Sequence, residues 1–252
     1  MREGHLTPRN RPPNSRPPRP AIPGKVHAVV LGEPYGPIKG TTDVEETRKS
    51  KPSLRARADK VRAFRCKNLI AVIEAPDDVT NLGTIIRNVN ALGVEKAYVV
   101  TAQNWLPDDW QEMRTRSKLH AVSASAIKWS FVKKFDSTES CLEHLKKNGF
   151  QSIVTSPHTK GRKNVILHEA DYTGFRKLAV WFGNEGIGIS SLALEHSVLC
   201  VNIPMFGIIE SLNLGTASGI VLYEITKQRR AFQDRLNARI AANKLRKSKR
   251  AS

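Results

Sequence analysis

From residue 53 onward, apolar positions recur in two ways, as short unbroken runs and as stripes at helical spacing. Residues 69–73 form an unbroken run that ends at Glu74-Ala75-Pro76 and read as a buried strand. Leu82, Ile85, Ile86, Val89 and Leu92 then fall on one helical face, Gly93 closes that helix, and residues 96–100 form a second strand. Before this unit, Ser53 stands where it would cap a helix over 53–64. Beyond it the pattern predicts a helix over 108–116, a strand over 129–133, a helix over 137–148 and a strand over 151–155. Residues 178–182 and 199–203 are the clearest strands, with a helix over 190–195 between them and a long C-terminal helix over 217–243. Such alternation predicts an α/β fold, a largely parallel sheet flanked by helices on both faces.

Composition changes this picture at the two ends. The first 25 residues hold 7 of the 14 prolines, interleaved with arginines, and cannot bury a core. A short β-prone run at 26–31 is followed at once by Gly32, Pro34, Gly36 and Pro37, so residues 1–52 read as a mostly disordered extension. Residues 53–230 read as one domain, and 231–252 as the end of the last helix with a basic tail from Lys244. The net charge of +18 points to a polyanion as partner, nucleic acid first. No apolar run is long enough to span a membrane and the N-terminus has no signal-peptide core, which predicts a cytoplasmic protein. Cys66, Cys141 and Cys200 are odd in number and widely spaced, and the seven histidines show no ligand spacing. Reduced thiols and no metal are expected.

Three polar, glycine-punctuated segments follow predicted strands, and in an open parallel sheet the carboxyl ends of the strands are where ligands bind. In the first, residues 77–93, Asn81 is placed to cap the helix, Gly83 allows a close approach, and Arg87 lies six residues further on. The second, W-F-G-N-E-G-I-G-I-S over 181–190, resembles a phosphate-binding turn only superficially. Its glycines at 183, 186 and 188 do not follow the G-x-G-x-x-G spacing of a dinucleotide site, and Glu185 would repel a pyrophosphate. An acidic residue there suits a ligand with a positive centre or with sugar hydroxyls. The third, residues 203–224, turns at Pro204 and Gly207 and presents Ser211 and Asn213 at the mouth of a helix, either as caps or to a ligand.

Taken together, N-L-G-T-I-I-R-N-V-N-A-L-G (81–93), F-G-N-E-G-I-G-I-S (182–190) and I-P-M-F-G-I-I-E-S-L-N-L-G-T-A-S-G-I-V-L-Y-E (203–224) resemble motifs 1, 2 and 3 of the TrmH/SpoU family. These are the RNA ribose 2′-O-methyltransferases of the SPOUT superfamily, and the resemblance spans about residues 66–230. It implies a parallel sheet with a deep C-terminal trefoil knot, a homodimer, and S-adenosylmethionine as cofactor. Gly183, Asn184, Glu185, Gly186, Ile203, Met205, Ser211, Leu212 and Asn213 are the implied cofactor-binding residues. Arg87, Asn81, Glu185, Ser211 and Asn213 are the implied catalytic set. Arginine is a poor general base, its pKa being roughly 12.5–13.8. Arg87 therefore acts either as a proton acceptor helped by a substrate phosphate or as a cation that stabilises the developing alkoxide.

One departure concerns the third segment, which reads S-L-N-L-G-T-A where S-L-N-V-S-V-A is usual. Gly215 and Thr216 are expected to loosen the start of the last helix. The H-E-A-D-Y-T segment and the L-Y-E-I-T-K-Q-R-R ending most resemble the tRNA guanosine-2′-O-methyltransferase branch, with ribosomal RNA as the alternative substrate. A noncatalytic RNA-binding or ribosome-assembly protein on the same fold is the rival outside enzymology.

Overall fold

The computed structural model describes residues 65–158 and 163–251, together with Ser53, Ala56 and Asp59. The expected extension over 1–52 and its run at 26–31 lie outside the described residues. Of the helix expected over 53–64, Ala56 and Asp59 are helical, and the Ala56 N–H donates to Ser53 Oγ at 3.2 Å.

Among the described residues, seven strands form one sheet: Cys66–Glu74 (β1), Val94–Val100 (β2), Phe131–Phe135 (β3), Gln151–Thr155 (β4), Asn164–Ile166 (β5), Leu178–Phe182 (β6) and Ser197–Asn202 (β7). Their spatial order is β3-β2-β1-β6-β4-β7-β5, and every pairing is parallel. The helices are Val79–Ala91 (α1), Trp110–Thr115 (α2), Ser117–Val122 (α3), Thr138–Lys147 (α4), Ser191–Glu195 (α5) and Leu214–Ala251 (α6), with a 3-10 turn at Ala126–Trp129. Alternation along β1 divides two cores. Leu69, Ala71 and Ile73 pack with α1, α3 and α6 on one face, while Ile70 and Val72 pack with Cys141, Leu145 and Ala193 of α4 and α5 on the other. Burial on both faces explains why residues 69–73 of β1 and the whole of β6 read as continuous apolar runs. Burial also pushes the Cys141 thiol up to about 12, and none of the three cysteines forms a disulfide.

Some boundaries differ from expectation. The strand expected over 129–133 starts at Phe131, because Trp129 closes the 3-10 turn. The last helix runs to Ala251 instead of ending at 243, as residues 231–251 contain no glycine or proline and are rich in Ala, Leu, Arg and Lys, all good helix formers. From Ala231 to Asn243 every residue on it is exposed.

Candidate active site

The junction of β1 and α1 is built around a backbone outlier. Ala75 takes a left-handed φ of 46°, uncommon without glycine. It is held from both sides, its N–H donating to Val100 O at 2.8 Å and its carbonyl accepting from Asn184 Nδ2 at 2.7 Å. Asp78 then caps α1, Oδ1 accepting from the Thr80 N–H at 2.8 Å, and this bond holds its carboxyl below the usual carboxylate range. Asn81 is therefore not the cap. It sits in the first turn, where its amide is available for longer-range contacts.

Those contacts join all three polar segments. Asn81 Nδ2 donates to Glu185 Oε1 at 2.7 Å, and Asn81 Oδ1 accepts from Asn213 Nδ2 at 2.9 Å. Glu185 Oε2 also accepts from the Asp77 N–H at 3.3 Å. A carboxylate, two amides and a backbone N–H thus form one continuous chain at the carboxyl ends of the strands.

The loop after β6 is tied to itself. Asn184 and Gly188 exchange two backbone hydrogen bonds at 3.0 Å, and Asn184 Oδ1 accepts from the N–H groups of Gly186 at 2.7 Å and Ile187 at 2.9 Å. A Cβ on Gly183 would lie 2.4 Å from the Gly188 carbonyl carbon, so the two limbs of the loop meet only because residue 183 has no side chain. At its far end, Ser190 donates through Oγ to Glu74 Oε1 at 2.6 Å and through its N–H to Glu74 Oε2 at 2.9 Å, while Thr138 Oγ1 reaches Glu74 Oε1 at 2.6 Å. Glu74, almost fully buried, was not singled out in the sequence. An acidic residue closing an apolar strand just before a proline was the available signal.

The segment after β7 is the opposite. Residues 203–212 make no hydrogen bond with any other described residue, and Phe206, Ile208 and Ile209 are exposed, the first two at 95% and 99%. Ile203, Met205 and Leu212 are half-buried, and Ser211 is exposed. Order resumes at Asn213, whose Oδ1 accepts from the Thr216 N–H at 3.2 Å and caps α6. Gly215 does not loosen this helix. A Cβ there would come within 2.7 Å of Thr84 Cγ2, and the Gly215 carbonyl accepts from Asn88 Nδ2 at 2.8 Å, which also reaches Ser218 Oγ at 3.0 Å. The glycine lets α6 close onto α1. Gly83 has the same role on the other side of α1, where its neighbour is Val122 of α3 and not a ligand.

Asn81, Glu185 and Asn213 are thus brought together, whereas Arg87 and Ser211 are not bonded to them. Arg87 is exposed on α1, and its side chain forms no hydrogen bond or ion pair with any described residue. The family profile described as the SpoU rRNA Methylase family matches residues 68–223, which include every one of these positions. The chain belongs to that family. Among relatives of this SpoU-type chain is the tRNA (guanosine(18)-2'-O)-methyltransferase of Aquifex aeolicus (strain VF5), 31% identical over 174 residues, covering 69% of this chain and 75% of that protein. Another is the 23S rRNA (guanosine-2'-O-)-methyltransferase RlmB of Vibrio vulnificus (strain CMCP6), 31% identical over 175 residues, 69% of this chain and 65% of that protein. The crystal structure of the A. aeolicus TrmH/SpoU tRNA modifying enzyme superposes with a TM-score of 0.58 at 27% identity, covering 71% of this chain and 85% of that one.

Proposed function

We propose that this SpoU-family protein transfers a methyl group from S-adenosylmethionine to the ribose 2′-hydroxyl of a guanosine in tRNA. The observation that carries the reading is the Glu185–Asn81–Asn213 chain, which joins the three motif segments at the carboxyl ends of the strands. The relative in A. aeolicus, named for tRNA guanosine, supplies the substrate class. Residues 203–212 fit such a cofactor: their backbone donors and acceptors are unbonded among the described residues, beside the partly buried Ile203, Met205 and Leu212. A ligand with an apolar base and many polar edges satisfies both. Gly183, Asn184, Glu185 and Gly186 supply the facing loop, and Ser211, Leu212 and Asn213 complete the cradle.

The cofactor supplies an already activated methyl group on a sulfonium, so the chain's own residues must align the ribose and favour the alkoxide. Arg87 serves as the cation that stabilises the developing charge on the 2′-oxygen. Asn81 and Asn213 hold Glu185 in register, and Ser211 borders the acceptor. The chain leaves β7 beyond β4 and returns to cap α6 against α1, near β1, which supports a knotted C-terminal segment. The exposed Phe206, Ile208, Ile220 and Tyr223 support a homodimer through this face. Among the described residues no helix is long and apolar enough to cross a membrane, and a tRNA substrate supports a cytoplasmic enzyme.

Ribosomal RNA is the second reading, favoured by the equal identity of the RlmB relative. Tritiated methyl transfer to total tRNA and to ribosomal RNA, followed by identification of the nucleoside, separates the two, and no incorporation into either overturns both. Arg87→Ala lowers kcat by roughly 10²–10³-fold, the scale of losing one electrostatic stabiliser. It leaves calorimetric S-adenosylmethionine binding unchanged, and comparable turnover by the variant overturns the assigned role.

A further inference from the structure

We propose that a separate cavity beside the first turn of α1 receives a guanine base of the RNA substrate, an inference that rests on the methyltransferase reading. The cavity holds about 340 Å³, enough for a nucleoside, and is lined by Asp77, Val79, Trp105, Leu106, Arg116 and Lys118 among others. Its floor is apolar, as Leu106 is almost fully buried. The half-buried Trp105 packs against the apolar core, and its indole N–H donates to Gln103 Oε1 at 2.6 Å. Two cations stand at the rim. Arg116 is half-exposed and steadied by Glu112 at 3.1 Å, and Lys118 is exposed.

Each feature narrows the occupant. A half-buried indole beside apolar walls favours a flat ring, and base stacking on an aromatic side chain is how proteins hold unpaired RNA bases. Arg116 and Lys118 suit the phosphates that flank such a base. The exposed Asp77 carboxylate makes no hydrogen bond or ion pair with any described residue, and it disfavours a bare phosphate inside the cavity. Guanine presents two N–H donors, at N1 and N2, on one edge, and a carboxylate accepts both; adenine offers no such pair. Position agrees with this. The Asp77 N–H donates to Glu185, so the cavity adjoins the Glu185–Asn81–Asn213 chain. A base docked there lies next to the reacting ribose or belongs to it.

The test uses the full chain and tRNA, with affinity measured by fluorescence polarisation alongside methyl transfer. Trp105→Ala weakens RNA affinity by roughly tenfold or more, as expected for one lost stacking contact, and leaves S-adenosylmethionine binding unchanged. Trp105→Phe retains an aromatic ring and most of the affinity, which separates stacking from a folding defect. Arg116→Gln with Lys118→Gln lowers the slope of log affinity against log salt by about 1–2, one phosphate per cation. GMP competes with tRNA better than AMP for the wild type, and Trp105→Ala removes that difference. Unchanged RNA affinity in both the Trp105→Ala and the doubly neutralised variants overturns the proposal, as does equal competition by GMP and AMP. A wild type that binds tRNA yet transfers no methyl group defeats the proposed function, while the affinity ratios still decide the cavity.

Discussion

The loops after β6 and after β7, the two sides of the proposed cofactor site, are opposites in construction. The first, residues 183–190, satisfies its own polar groups: Asn184 alone closes bonds to Ala75, Gly186, Ile187 and Gly188, and Ser190 is held by the buried Glu74. The second, residues 203–212, bonds to nothing among the described residues and exposes three large apolar side chains. A loop of the first kind has its shape before any ligand arrives and loses little entropy on binding. A loop of the second kind leaves its polar and apolar groups for something else to cover. One side of the proposed cofactor site is thus preorganised, and the other is left for the proposed cofactor and dimer partner to complete.

Removing the keystone of the closed loop breaks the contrast most severely. Asn184→Ala removes the bonds to the Ala75 carbonyl and to the Gly186 and Ile187 N–H groups, each worth about 0.5–1.5 kcal/mol net where water can replace the lost partner. Urea unfolding reads the loss, and S-adenosylmethionine affinity falls with it; a variant as stable as wild type shows that the loop does not depend on this amide. A charged substitution in the open loop behaves differently. Phe206→Asp with Ile208→Asp leaves unfolding of the subunit within about 0.5 kcal/mol, the usual range for exposed sites. If the proposed homodimer forms through this face, the species seen in sedimentation shifts from dimer in the wild type to monomer in the variant. A double variant that still sediments as a dimer removes this face from the interface.

The same contrast explains what was legible in the sequence. Strands buried on both faces write themselves as unbroken apolar runs, so residues 69–73 fall within β1 and residues 178–182 coincide with β6. The three-residue β5, partly exposed and opening on Asn164, carries no such run, and the short α3 spans too little for a helical period. In the site, residue identities were legible and their partners were not. Asn81 stands near enough to a helix start to look like its cap, and only the three-dimensional fold shows that Asp78 takes that place and frees Asn81 for Glu185 and Asn213. Gly215 reads locally as a weak helix start, because the residue that decides its role, Thr84, is on another helix. Local chemistry gives the candidates, and long-range pairing assigns them.

The smallest effect concerns acid. The open loop borders a groove of about 560 Å³ lined by Ile203, Pro204, Phe206, Ile220, Tyr223 and Glu224. Lys227 Nζ and Gln228 Nε2 donate to Glu224 at 2.7 and 3.0 Å, and these bonds, the one from Lys227 foremost, hold its carboxyl below its ordinary 4.5. A depressed folded value means that the carboxylate contributes stability above about 4.5 and loses it as pH falls through the lower folded value. Gln228 links this carboxylate to the segment before β6, accepting from the Tyr172 N–H at 3.1 Å and donating to the Ala170 carbonyl at 3.1 Å. The amide bonds of Asn184 do not titrate. Acidification below 4.5 therefore lowers hydrogen-exchange protection at Tyr172 before it does so at Gly186 and Ile187. In Glu224→Gln that early step disappears, since a neutral amide has no charge to lose; its persistence in the variant assigns the step to another group. The groove beside the open loop owes part of its order to a charge, and the closed loop holds Gly186 and Ile187 without one.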